Sequence, residues 1–170
     1  EMLRRLGVKS GLGKAFEYVG PGAATLEVGQ RVTIANMGAE MGATTSIFPA
    51  DEQVRKFMKA QNRENEYVEL LPDEGCEYDG EMEIDLSALE PLIACPHQPD
   101  NVVPLKDCEK KPVQQVFMGS CTNASYSDIA KAALVFQGRH VHEDVSCTCV
   151  ISSKQIYKAL VYLACKHHLN

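Results

Sequence analysis

Three residues stand in settings that suit chemistry. Cys121 lies in Val116-Phe117-Met118-Gly119-Ser120-Cys121-Thr122-Asn123-Ala124-Ser125-Tyr126-Ser127-Asp128. The stretch from Val113 to Met118, apolar except for Gln114 and Gln115, predicts a buried strand, which Gly119 and Ser120 then break. Ser125 and Asp128 have the spacing of a capping box. Ile129, Ala132, Ala133 and Phe136 follow at i, i+3, i+4 and i+7, one apolar helix face. Cys121 is therefore predicted in a turn between a strand end and a helix start, the edge at which open α/β sheets bind ligands. N–H groups at a helix N-terminus favour a thiolate over a thiol, and the thiolate is the form that ligates metal. The same setting also suits a buried structural cysteine in a tight turn. Asn36 and Glu40 are the other two residues. Four apart, they share one face if the chain is helical there, and Gly38 and Ala39 between them add little bulk to block a ligand. A buried amide and carboxylate on one face would need a polar partner. A cap or a surface salt-bridged pair fits the same spacing.

Behind these residues stand two longer segments. Gly119-Ser120-Cys121-Thr122-Asn123-Ala124-Ser125-Tyr126-Ser127-Asp128 resembles the aconitase-family segment that supplies the first cysteine ligand of a [4Fe–4S] cluster. Asn36-Met37-Gly38-Ala39-Glu40-Met41-Gly42-Ala43-Thr44-Thr45-Ser46-Ile47-Phe48-Pro49 is similar to that family's other signature. The two occur in the family's order, and the likeness runs from about Gly7 to Tyr157. It implies Cys121 as a cluster ligand, with Asn36 and Glu40 reaching the cluster and the substrate hydroxyl. It also implies a hydro-lyase that interconverts citrate and isocitrate through cis-aconitate. In such an enzyme a base removes a carbon-bound proton, and the iron without a cysteine ligand polarises the hydroxyl.

The likeness has gaps. No Cys-x-x-Cys is present, so only one of the three cysteine ligands expected for the cluster is here. Cys147-x-Cys149 has the wrong spacing and sits in a predicted strand. Ile151-Ser152-Ser153-Lys154-Gln155 stands where relatives carry a Pro-Gly turn, and the end from Val161 to Asn170 departs from the family. The resemblance implies that the family's earlier His and Asp residues would lie before Glu1, and its substrate-binding arginines and base serine well past Asn170. The chain thus reads as an internal piece, inactive alone, whose partners are the remainder of an aconitase chain and a small tricarboxylic acid. Its substrate-binding residues are unknown from sequence. Two alternatives stand beside aconitate hydratase: a homoaconitase or 3-isopropylmalate dehydratase large subunit, and a noncatalytic remnant or thiol-rich metal-binding module.

Composition narrows the class. The chain has 170 residues, 45% of them hydrophobic, and carries 17 basic against 23 acidic residues, for a net charge of −6. That balance gives no basic stripe for nucleic acid, and no apolar run is long enough to span a membrane. Seven cysteines, odd in number and scattered, do not form a secreted disulfide framework. A reducing compartment is expected, the cytoplasm or, in a eukaryote, the mitochondrial matrix.

Elsewhere the reading is structural. Gly7 is expected to end a helix over Glu1–Leu6. Gly7-Val8-Lys9-Ser10-Gly11-Leu12-Gly13-Lys14-Ala15 is not a P-loop, because its first glycine is displaced and Ala15 follows Lys14; a turn into a strand over Ala15–Val19 is predicted. Gly20-Pro21-Gly22 reads as a turn. A helix is predicted from Ala50-Asp51-Glu52 to about Gln61, with Val54, Phe57 and Met58 inward. Met82, Ile84 and Leu86 alternate with Glu81, Glu83 and Asp85, the pattern of a half-exposed strand. Pro96, Pro99 and Pro104 mark a connector. A second strand over Val145–Ile151 is expected to bury Cys147 and Cys149. Ser152-Ser153 caps a helix with Ile156, Ala159, Leu160 and Leu163 inward. The fold class is α/β and aconitase-like. One small α/β domain is expected over residues 1–111, with a parallel βαβα unit over residues 112–170 that begins the next.

Overall fold

A computed structural model describes residues 1–167, with side chains described through Tyr162. The chain divides into two compact units, Glu1–Glu109 and Lys110–Asn170.

In the first unit, α1 (Met2–Leu6) stops at Gly7, whose φ of 77° lies in the left-handed region open to glycine. β1 (Ala15–Glu17) follows and is two residues shorter than predicted. Pro21 begins α2 (Pro21–Thr25) rather than a turn, its fixed φ suiting the first helical position. A Glu27–Gln30 capping box opens α3 (Val28–Met37), which passes into a 3₁₀ helix over Gly38–Met41. β2 (Thr45–Ile47) pairs with β1 in parallel, Phe16 opposite Ser46. Asp51 caps α4 (Glu52–Ala60) by accepting from the Gln53 N–H. Val54 and Met58 of α4 are half-buried, but Phe57 is exposed.

Two expectations fail here. Residues 81–85 form no strand, and Leu86–Ala88 is a 3₁₀ turn capped by Asp85. Alternation supplies a face, but a strand also needs a neighbour for its N–H and C=O groups, and this acid-rich stretch pairs with none. The proline-marked connector, in turn, carries an antiparallel ladder of β3 (Leu92–Ala94) and β4 (Val102–Pro104). Its prolines sit at the ladder's end and in its loop, where no ladder donor is lost.

The second unit is a strand–helix–strand–helix run. β5 (Gln115–Gly119) and β6 (Ser146–Val150) are parallel, with Gln115 opposite Ser146 and Gly119 opposite Val150. Between them lies α5 (Tyr126–Phe136), and after them α6 (Lys154–His167). β5 starts two residues later than its apolar run and is not wholly buried: Phe117 is 58% exposed. On β6 Cys147 is half-buried but Cys149 is exposed. On α5 Ile129 and Ala132 are half-buried while Ala133 and Phe136 are exposed, and on α6 Ile156 and Leu160 are half-buried while Ala159 is exposed. A two-stranded sheet has little area to cover these faces. Leu163, and likewise Cys165, lies outside the residues whose side chains are described. Among the described residues no helix is long and apolar enough to cross a membrane.

Candidate functional site

In the first unit the segment bearing Asn36 is anchored upstream. Arg31 is 4% exposed. Its guanidinium donates to the carbonyls of Leu26, Ala23 and Pro49, and to Asp51 Oδ2 at 2.7 Å. It also lies over the Phe48 ring, 5.7 Å from the centroid. The planar fork of arginine suits this many acceptors. The bonds hold α3 to the end of α2 and to the start of α4, and the arginine holds the Asp51 carboxyl below its usual range. Sequence reasoning missed Arg31. The available signal was that it is the only charged residue in Val28–Met37.

The other end of α3 differs from expectation. Asn36 lies in its last turn and Glu40 in the 3₁₀ helix that follows. Four steps turn the chain by about 400° on an α-helix and about 480° on a 3₁₀ helix. The change of helix type therefore takes the two side chains off a common face. Both are exposed rather than buried, so the polar partner that burial would require is not needed. Asn36 lines a shallow depression of about 360 Å³ with Gly38, Ala43, Thr44 and Ser46, and Glu40 is not among its lining. The structure brings Asn36 to this concavity and leaves Glu40 beside it.

In the second unit the Cys121 turn is built from local constraints. Gly119 has φ 126°, and a Cβ there would stand 1.9 Å from the Val150 carbonyl oxygen. Only glycine lets β5 approach β6 this closely and turn away. Ser120 takes φ 77°, rare for a residue with a side chain. Ala124 is buried, and its carbonyl accepts from Ser152 Oγ at 3.0 Å, which ties the turn after β6 to the Cys121 turn. Ser125 then closes the predicted capping box: its Oγ accepts from the Asp128 N–H, and its own N–H donates to Asp128 Oδ2 at 3.2 Å. Ser153 Oγ accepts from the Ile156 N–H at the start of α6, as its position predicts. Cys121 is exposed in this frame, with its sulfur 3.7 Å from both Ser120 Oγ and Thr122 Oγ1.

The sequence matches the model of the aconitase family (aconitate hydratase) over residues 1–113 and 106–169. The chain belongs to the aconitase family. It is 40% identical over 157 residues to the 3-isopropylmalate dehydratase large subunit 2 of Archaeoglobus fulgidus, covering 92% of this chain and 38% of that protein. The 3-isopropylmalate dehydratase large subunit of Oleidesulfovibrio alaskensis is 37% identical over 158 residues, 93% of this chain and 37% of its own. Large subunit 1 of Thermotoga maritima is 36% identical over 159 residues, 92% and 38% respectively. The chain thus spans well under half the length of these relatives.

Aconitase-family proteins bind a [4Fe–4S] cluster. Cys121 suits one ligand position: its thiol is exposed, its neighbours are small, and it stands in the turn between β5 and α5. Among the described residues, however, no group of three or more His, Cys, Asp or Glu is placed to hold a metal ion. The described residues fit one corner of a cluster and do not assemble the donor set of a whole one.

Proposed function

We propose that this chain is part of an iron–sulfur hydro-lyase of the 3-isopropylmalate dehydratase type, in which Cys121 gives one cluster thiolate. The reading rests on the relatives that share 36–40% identity over more than nine-tenths of the chain, each named as that enzyme's large subunit. Those names favour 3-isopropylmalate over citrate and isocitrate, and a separate smaller subunit as a partner alongside the rest of the large one. The aconitate hydratase reading remains the second, favoured by the Gly38-Ala39-Glu40 and Ser125-Tyr126 wording.

When bound, the cluster would supply a Lewis acid for a substrate hydroxyl. The chain's own residues have simpler tasks. Cys121 holds its sulfur at the strand–helix edge. The Asn36 amide offers a donor and an acceptor to a hydroxyl or carboxylate in the depression. The Glu40 carboxylate lies beside the depression and not in its lining; the family resemblance alone assigns it the proton of the hydroxyl, a role that contributes on the order of 10²–10⁴-fold.

The test is a chimera. The matching segment of the Archaeoglobus fulgidus large subunit is replaced by this chain, assembled with that enzyme's other subunit and reconstituted anaerobically. Turnover of 3-isopropylmalate is expected, with loss of the cluster's iron and sulfide on Cys121→Ser and retention on Cys147→Ala. A full cluster in Cys121→Ser overturns the ligand assignment, and turnover of citrate alone selects the second reading. The isolated chain is expected to turn over neither acid.

A further inference from the structure

Gly38 is buried where α3 gives way to the 3₁₀ helix, and its backbone does not require glycine, since φ is −57° and ψ −27°. The requirement is steric. A Cβ at Gly38 would stand 2.6 Å from Ser46 Oγ, but at ordinary distances of 3.6 and 3.8 Å from the Cβ atoms of Ala43 and Ser46. One oxygen atom therefore limits how closely the helix junction rests on β2. That oxygen is itself unusual. Ser46 Oγ and the Tyr18 hydroxyl are buried with no partner in hydrogen-bonding geometry. Tyr18 is fixed by its stack on Phe48, with centroids 4.6 Å apart and an interplanar angle of 9°. Burial raises the Tyr18 phenol above its ordinary range, and the nearby Ser46 hydroxyl offsets part of that rise. A buried hydroxyl without a full partner costs stability, so its presence against Gly38 calls for a reason. Asn36, two residues before Gly38, lines the same depression as both.

We infer that Ser46 Oγ, seated against Gly38, sets the α3 junction and so aims Asn36 into the depression. This makes Ser46 a positioning residue for the proposed dehydration, on which reading the inference rests. Arg31 fixes the first half of α3, and the Gly38–Ser46 contact fixes its last turn.

The test is a suppression experiment with two readouts. In the chimera, Gly38→Ala is expected to lower kcat roughly tenfold to a hundredfold, as misplacement of a positioned group by about an ångström does, with KM changed much less. Ser46→Ala removes the oxygen and is expected to lower kcat only severalfold. The double variant, whose new methyl occupies the vacated space, is expected to recover most of the activity lost in Gly38→Ala. The second readout needs no turnover: the Asn36 side-chain amide resonance of the ¹⁵N-labelled chain, assigned through Asn36→Asp. It is expected to move in Gly38→Ala and return in the double variant. Wild-type kcat in Gly38→Ala, or a double variant no better than Gly38→Ala, overturns the inference. Should Gly38→Ala fail to fold, the double variant must fold, and its failure to do so also overturns it. Should the chimera itself show no turnover, the functional reading fails, while the resonance pattern still decides the positioning.

Discussion

Asn36 and Cys121 each sit where a regular element ends, but they are held by different means. The Asn36 segment depends on side chains distant in sequence: Arg31 reaches Pro49 and Asp51, and Ser46 meets Gly38. The Cys121 turn depends on backbone fit and one cap: Gly119 against Val150, Ser120 in the left-handed region, and a capping box of two residues three apart. The first arrangement is expected to fail when the Arg31 hub is removed or when a Cβ at Gly38 meets Ser46. The second is expected to fail when a Cβ at Gly119 meets the Val150 carbonyl. The difference matters for what each residue is proposed to do. A thiolate serves a cluster from a rigid turn, whereas an amide aimed at a substrate is set by a contact that one substitution can shift.

The sharpest test of the backbone-built turn is Gly119→Ala. A left-handed φ in a residue with a side chain costs about 1–3 kcal/mol, and here the new Cβ also meets the Val150 carbonyl, so β5–β6 pairing must yield. A loss of about 4 kcal/mol is expected by urea denaturation. Gly138 is the control, because it has φ 69° but no atom within 4 Å of where a Cβ would stand. Gly138→Ala should cost about 1–2 kcal/mol. Equal costs at the two glycines would mean that close approach to β6 does not hold the Cys121 turn. The matching test of the first unit is Arg31→Ala, which leaves three carbonyls and the Asp51 carboxylate without their donor. About 3 kcal/mol is expected. Arg31→Lys should recover little, since one ammonium cannot reproduce the fork.

The same contrast explains what could be read from the sequence. The Cys121 turn was legible because its determinants are local: an apolar run, a Gly-Ser break, and a serine and aspartate three apart. The α/β class, the parallel β5–β6 pair and the helix α4 followed from patterns of the same kind. Arg31 was not legible, because its partners Pro49 and Asp51 are 18 and 20 residues away. The common face of Asn36 and Glu40 failed for a related reason. Gly38 rests on Ser46, the helix tightens into a 3₁₀ turn there, and no count of residues from 36 to 40 reveals that. At Met82–Leu86 the alternation was real, but no neighbouring strand accepts it. Phe57 and Cys149 follow an inward pattern in layers too thin to cover them.

Ser125→Ala separates the cap from the turn it closes. It removes one acceptor for the Asp128 N–H and should cost about 1 kcal/mol. Faster amide exchange at the start of α5 is expected, with β5–β6 protection unchanged. Loss of protection along β5 as well would show that the turn depends on the cap and not on Gly119.

Asp51→Asn should have the smallest effect, and its size depends on pH. Asn serves as well as Asp at an N-cap, so the bond from Gln53 survives and only the charge facing Arg31 is lost. About 1 kcal/mol is expected at neutral pH, the scale of a charge-assisted bond reduced to a neutral one. The hydrogen bond from Arg31 is the main cause that lowers the Asp51 pKa in the folded chain. A lowered folded pKa means the unfolded chain takes up the proton first. The stabilisation is therefore fully present above the ordinary aspartate pKa, about 3.9, and is lost as pH falls through the folded value. The measurement is Tm against pH for both chains. The two curves should be separated at neutral pH and converge below about pH 4. A constant gap down to acid pH would show that Asp51 acts through shape and not charge, and the first unit would then be held by packing around Arg31 instead of by its ion pair.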